Sequence, residues 1–239
     1  MNRPYTIISS AMSADGKISG PERMQRRLSN DEDFRAVDRL RSEMDAILVG
    51  STTVNNDNPS LVLKYEENRQ RRIDRGVSPD PIKVAISTHG HIPLSSSFIQ
   101  KGRSEKIIFT TGSAPDTAVE RLSGVATVVT SDSPRVDVRK LVSSLYDRGI
   151  RQLLIEGGGE TNAAFLNEGL VDELRIAIAP VIIGGRHSPT LADGPGISAA
   201  VDLEFLESIR LGDMMILRYR PRPAASQAEI HVVQNSPTV

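Results

Sequence analysis

The chain has 239 residues, a quarter of them charged, and a formal net charge of −1 at pH 7. That balance offers no electrostatic case for binding nucleic acid or an anionic membrane, and no apolar run approaches the roughly 20 residues of a membrane-spanning helix. Cysteine is absent, which excludes disulfides, thiolate nucleophiles, Cys-ligated zinc and iron–sulfur clusters. The first residues enter a strand pattern without a signal-peptide core, so a cytoplasmic protein is expected. Of the four histidines only His89 and His91 are close in sequence, and they read as loop residues rather than metal ligands.

Along the chain, apolar strand-like runs alternate with helical ones. Tyr5 to Met12 is the first strand pattern. Ser29 or Asn30 can cap a helix that opens with Asp31-Glu32-Asp33, acids at the favourable end of the dipole, and that places Phe34, Val37, Leu40 and Met44 on one face. Ala46 to Val49 reads as a buried parallel strand. The polar, Arg-rich stretch from Lys64 to Pro81 predicts an exposed loop.

Ile82 to Thr88, Lys106 to Thr111 and Val125 to Thr130 repeat the strand pattern. Ser133-Pro134 opens a helix that Gly149 closes, with Val138, Leu141, Val142 and Leu145 on its buried face. A strand at 152–156, a helix after the glycines and a long strand from Glu173 to Ile183 follow. Leu203 to Leu211 and Met214 to Tyr219, split by Gly212-Asp213, predict an antiparallel pair. The expected fold is α/β: a mixed, mainly parallel sheet with helices on both faces and an antiparallel C-terminal strand pair, in one domain over residues 1–221 with a flexible tail at 222–239.

Four strand ends carry residues able to bind a ligand. Glu156-Gly157-Gly158-Gly159 runs from a strand into a helix, so a ligand can approach the backbone closely and meet the positive end of the helix dipole. Glu156 sets a carboxylate beside this candidate nucleotide site, although the spacing is not the G-x-G-x-x-G fingerprint. Asp15-Gly16 is a turn signal that brings Lys17 near the end of the first strand. Thr53 and Asp57 share a face if one helical turn forms after Gly50, and capping is the plainer explanation of the same residues. Ser87-Thr88-His89-Gly90 ends the third strand pattern. In an open α/β sheet such ends lie along one edge, where ligands bind. No G-x-S-x-G elbow, Walker motif or zinc deaminase signature is present. Hydride transfer then becomes attractive, because a cofactor supplies the reacting atom.

Three ordered motifs resemble those of the riboflavin-pathway pyrimidine reductases: Ser13-Ala14-Asp15-Gly16-Lys17-Ile18, the pattern Val49-Gly50…Thr53-Val54…Asp57…Pro59…Leu61, and Glu156 to Gly159. Leu170 to Leu174, leading to Ala179-Pro180 and Gly184-Gly185, adds to a likeness that spans about residues 4–220. The family includes stand-alone archaeal and fungal enzymes and the C-terminal domain of the bacterial deaminase–reductase. The resemblance implies a dihydrofolate-reductase-like fold, a homodimer, NADPH as cofactor, and reduction of the ribosylamino side chain of a pyrimidinone 5′-phosphate, with hydride reaching sugar C1′ of the opened, imine-like form.

By position, the resemblance assigns cofactor contact to Ser19, Thr53, Asp57, Thr88, Gly158, Gly159, Glu160, Thr161 and Asn162. It assigns substrate contact to Arg41, Leu61, Lys64 and Glu156, and makes Lys17 the candidate catalytic, polarising cation. Three positions depart from the pattern. Arg27-Leu28-Ser29 stands for the usual Trp-Ile-Thr, Lys64 for an arginine, and Ser87-Thr88 for Asp-Ser. A reductase of another small carbonyl or imine compound and a non-catalytic NADP(H)-binding protein are the alternative readings.

Overall fold

Runs of isoleucine and valine without polar alternation suit parallel strands buried on both faces. Such runs form the strands of the computed structural model, which describes residues 1–20, 27–195, 197 and 199–222. The strands are β1 (Tyr5–Ser13), β2 (Ala46–Gly50), β3 (Ile82–Ile86), β4 (Lys106–Thr111), β5 (Thr127–Ser131), β6 (Gln152–Ile155), β7 (Glu173–Ala179), β8 (Leu203–Leu211) and β9 (Met214–Pro221). They build one sheet in the order β5-β4-β3-β2-β6-β1-β7-β9-β8. The first seven strands run parallel, and β9 and β8 follow as antiparallel neighbours of β7.

The helices are α1 (Asp31–Glu43), α2 (Ser51–Asp57), α3 (Glu66–Asp74), α4 (Ser97–Gln100), α5 (Asp116–Ser123), α6 (Val138–Asp147) and α7 (Gly159–Asn167). Side chains alternate across the sheet and feed two cores. On one face Ile8, Leu48 and Phe109 meet Leu141 and Leu145 of α6 and Phe165 of α7. On the other Ile7, Ile47 and Ile108 meet Val54 of α2, Phe98 of α4 and Leu122 of α5, with Leu40 of α1 at the margin. The architecture is therefore the expected mixed, mainly parallel sheet covered on both faces.

Several boundaries and three whole elements differ from the sequence reading. The stretch read as an exposed loop contains α3, because buried Asp38 accepts hydrogen bonds from the Lys64 and Tyr65 N–H groups and from Asn68 Nδ2. Arg72, also buried, ties the same segment to the carbonyls of Ser42, Met44 and Ser78. α6 starts at Val138, capped by the Asp137 carboxylate, rather than at Ser133-Pro134, and buries the four apolar residues expected.

β7 stops at Ala179 instead of Ile183, since the N–H groups of Ile183 and Gly184 bind the Asp15 carboxylate. α4 and α5 were not anticipated. On α1 the buried residues are polar: Asp33, Asp38 and Ser42, whereas Phe34 is exposed. The tail expected beyond Pro221 lies, from residue 223 onward, outside the described residues.

One register positions everything that follows. β6 pairs with β1 only from Tyr5↔Gln152 to Ile8↔Ile155, while β1 continues beside β7 as far as Ser13↔Ala179. Past Ile155 the sheet opens.

Candidate active site

At that opening the chain leaves β6 through Glu156, Gly157 and Gly158 into α7 and borders a cleft of about 340 Å³. The turn is pinned to β2: Glu156 N–H donates to Leu48 O at 2.9 Å and Gly50 N–H to Gly157 O at 2.8 Å. Gly157 has φ +92°, a conformation that L side chains rarely adopt.

The next two glycines face different neighbours. A Cβ at Gly158 would meet only Thr53 Oγ1, at 3.2 Å, and no side chain caps α7 at this position. The first turn of α7 thus presents backbone N–H groups and a positive dipole end beside the cleft. A Cβ at Gly159 would lie 2.5 Å from Thr190 O and 2.9 Å from the Asp193 carboxylate.

Two ion pairs dominate the electrostatics. Arg41 of α1 grips Glu156 with both ends, Nε to Oε1 and Nη2 to Oε2, each at 2.7 Å. The side chains are only 16% and 13% exposed. Burial works against the charge on Arg41, but the Glu156 carboxylate more than compensates and holds the guanidinium above its ordinary pKa. The second pair joins Arg175 of β7 to Asp33 of α1, Nη2 to Oδ1 at 2.5 Å, with side chains 9% and 1% exposed. Asp33 Oδ2 is buried and has no hydrogen-bond partner among the described residues.

The cleft gathers seven of the residues anticipated from sequence: Arg41, Thr53, Asp57, Leu61, Lys64, Glu156 and Gly158. Leu61 holds φ +51° at the wall while being fully buried. Lys64 sits at the mouth, its ammonium 5.5 Å from the centre of the Phe34 ring, and Arg27 covers the same ring at 4.6 Å.

The other anticipated residues lie around this group. Lys17 is outside the lining: its strand bridge to Thr190 aims the ammonium at Ser188 O, 3.4 Å away, while the adjacent Ile18 lines the cleft. Ser19 follows on the same loop and is likewise not in the lining. Thr88 lies two residues past the end of β3, the strand beside β2, and is not in the lining; its carbonyl accepts from the Thr110 and Thr111 hydroxyls. Glu160 is exposed on the first turn of α7, and Thr161 turns its hydroxyl toward Gly50. Asn162 is fully buried and donates to Leu191 O at 2.8 Å, so its side chain anchors the 190–193 turn rather than opening to a phosphate.

Sequence reasoning missed Asp33, Arg175 and Ser9 as cleft residues. Asp33 read as a helix-dipole acid, and its partner is 142 positions away. The one available signal was an arginine inside an otherwise apolar strand, Leu174-Arg175-Ile176, because a buried charge needs a partner.

Among known proteins, the model of the RibD C-terminal domain family matches residues 4–217. A 2,5-diamino-6-ribosylamino-4(3H)-pyrimidinone 5′-phosphate reductase of Archaeoglobus fulgidus is 37% identical over 91% of this chain and 99% of its own. The solved structure of a pyrimidine reductase-like protein from Corynebacterium diphtheriae superposes with a TM-score of 0.81 over 92% of both chains at 20% identity. That of a Thermotoga maritima diaminohydroxyphosphoribosylaminopyrimidine deaminase/5-amino-6-(5-phosphoribosylamino)uracil reductase gives 0.72 at 21% identity, covering 92% of this chain and 57% of that one. With the family model spanning nearly all of the described fold, the chain belongs to the RibD C-terminal domain family.

Proposed function

We propose that this protein is an NADPH-dependent reductase of a ribosylamino-pyrimidinone 5′-phosphate and that it takes the 2-amino ring in preference to the uracil ring. The substrates named for the Archaeoglobus and Thermotoga proteins differ at ring C2, an amino group in one and a carbonyl in the other. An amino group donates hydrogen bonds and a carbonyl only accepts them. The observation that carries the reading is Asp33 Oδ2, a buried acceptor without a partner among the described residues, on a side chain that lines the cleft with Glu156 and Arg41. Burying such an atom is costly unless a donor arrives, and the 2-amino group is that donor.

The residues present fit a nicotinamide dinucleotide. The cradle at Gly158, which a Cβ would narrow toward Thr53, adjoins the uncapped first turn of α7. Thr53 and Asp57 would hold the cofactor from α2. Gly158, Gly159, Glu160 and Thr161 would hold its phosphates through backbone N–H groups, with Ser19 and Thr88 flanking and Asn162 securing the neighbouring turn. A reduced nicotinamide, when bound, supplies a hydride.

The chain's own residues orient the substrate. Each Glu156 oxygen keeps a lone pair after binding Arg41 and can accept from a ribose hydroxyl. Leu61 closes the apolar wall, and Lys64 meets the 5′-phosphate at the mouth as a point charge. Water is displaced as the ring enters, which strengthens every polar contact inside.

We place the enzyme in the cytoplasm as a homodimer. Leu203, Phe205, Ile209 and Met215 leave the β8–β9 edge apolar and exposed, a surface that a second copy would cover. Among the described residues no helix is long and apolar enough to cross a membrane. The test is NADPH oxidation with each of the two pyrimidine phosphates. Turnover with the diamino compound, at least tenfold above the uracil compound in kcat/KM, is expected. NADPH binding without turnover of either would refute the assignment and leave the non-catalytic reading.

A further inference from the structure

Arg175 serves two groups at once. Nη2 holds Asp33 Oδ1, and Nη1 reaches Ser9 Oγ at 3.5 Å, the outer limit of a hydrogen bond. Ser9 is on β1, Asp33 in the first turn of α1 and Arg175 on β7, so one guanidinium joins three elements around the cleft that all three residues line. All three are buried.

The contrast with the other ion pair is informative. Arg41 satisfies both oxygens of Glu156, the arrangement that a structural staple favours. Arg175 takes a single oxygen of Asp33 and leaves the other unpartnered among the described residues. A guanidinium carries only donors. By engaging Oδ1 it leaves Oδ2, on a buried side chain that lines the cleft, without a hydrogen-bond partner among the described residues. Ser9 Oγ, accepting from Arg175, keeps its own hydrogen as a donor.

We infer that Arg175 is a positioning residue for ring recognition, fixing Asp33 as the acceptor for the 2-amino group and Ser9 as a donor to the ring carbonyl at C4. The inference rests on the reading of Asp33 given under Proposed function. Arg175 touches neither substrate nor cofactor in this role; it sets the polarity and aim of two residues that touch the ring.

The experiment compares wild type, Arg175→Met, Arg175→Lys and Asp33→Asn. It measures kcat and KM for the diamino and the uracil substrates, NADPH affinity by fluorescence titration, and folding by circular dichroism. Arg175→Met should raise KM for both compounds, since both rings carry the C4 carbonyl, and at least tenfold more for the diamino compound than for the uracil compound, with NADPH affinity within twofold of wild type. Arg175→Lys keeps a charge for Asp33 but cannot also reach Ser9, and should recover part of the selectivity, with KM three- to tenfold above wild type. If Arg175→Met does not fold, the Arg175→Lys values decide, and a wild-type KM in that variant overturns the inference. A folded Arg175→Met with wild-type selectivity overturns it too, and if Asp33→Asn has lost selectivity in the same series the reading of Asp33 survives alone. A wild-type enzyme indifferent to the ring at C2 overturns both.

Discussion

Gly158 and Gly159 are neighbours in sequence, yet alanine at each should fail in a different way. At Gly159 the added methyl carbon would lie 2.5 Å from Thr190 O, so about 0.9 Å of separation is needed to reach ordinary contact. The carbonyl belongs to a turn stiffened by Asp193, whose carboxylate accepts from the Thr190 N–H and hydroxyl and whose own N–H donates to Gly159 O at 3.1 Å. Overpacking of this kind costs about 1–3 kcal/mol, and losing the Asp193 hydrogen bond about 1 kcal/mol more. Alanine returns roughly 0.5–1 kcal/mol as a better helix former. The net loss of about 1–3 kcal/mol lowers Tm by roughly 3–10 °C for a chain of this size.

At Gly158 the methyl would meet one rotatable hydroxyl, at 3.2 Å, so stability should stay within about 1 kcal/mol of wild type. The methyl would, however, occupy the cradle proposed for the cofactor phosphates. NADPH affinity should fall at least tenfold, about 1.4 kcal/mol. Differential scanning calorimetry and NADPH titration on both variants decide the matter. Gly159→Ala with an unchanged Tm would refute the packing argument, and Gly158→Ala with unchanged NADPH affinity would refute the phosphate-cradle assignment.

Arg41→Met leaves Glu156 as an uncompensated buried charge, and should cost about 3–5 kcal/mol in urea unfolding together with a large drop in kcat/KM. Lys83 is buried, and desolvation, aided by the charge of Lys106, pushes its ammonium down to about 8. The unfolded chain binds its proton up to about pH 10.4, so between those values U holds more protons than N and stability rises with pH. The rise should reach at most about 3 kcal/mol. Measured as wild type minus Lys83→Met from pH 8 to 10.5, a flat difference would contradict this environment. Lys17→Met should lower kcat less than tenfold, because the ammonium faces Ser188 O rather than the cleft; a loss of several hundredfold would make it catalytic after all. Phe205→Glu should shift the protein toward monomer in light scattering if the β8–β9 edge is the dimer surface.

How far the fold could be read depended on how local its causes are. The buried parallel strands are runs of a few apolar residues whose meaning does not need distant partners, and Val138, Leu141, Val142 and Leu145 declare the buried face of α6 by spacing alone. α3 could not be read this way, since what holds it is Asp38 and Arg72 reaching across to other segments. That Thr53, Asp57 and Gly158 would share one cleft was legible because glycines, Thr53 and Asp57 stand together in short motifs. The Arg175 cluster was not, because Ser9, Asp33 and Arg175 come from three separate elements and meet only when folded. The placement of Lys17 was hidden for a related reason: its motif is local, but the direction of its side chain is set by Thr190 and Ser188.

The early end of β6 has a consequence for how new specificities could arise here. The notch it leaves is floored by main chain held in the ladder between β1 and β7, so its depth and width are fixed by register and change little with side-chain identity. Under the proposed function, substitutions at Ser9 or Arg175 would recolour a rigid template, altering which edge of a flat heterocycle is welcome while leaving the glycine-lined half untouched. Lengthening β6 by two residues, in contrast, would zip the sheet shut and abolish the chamber altogether.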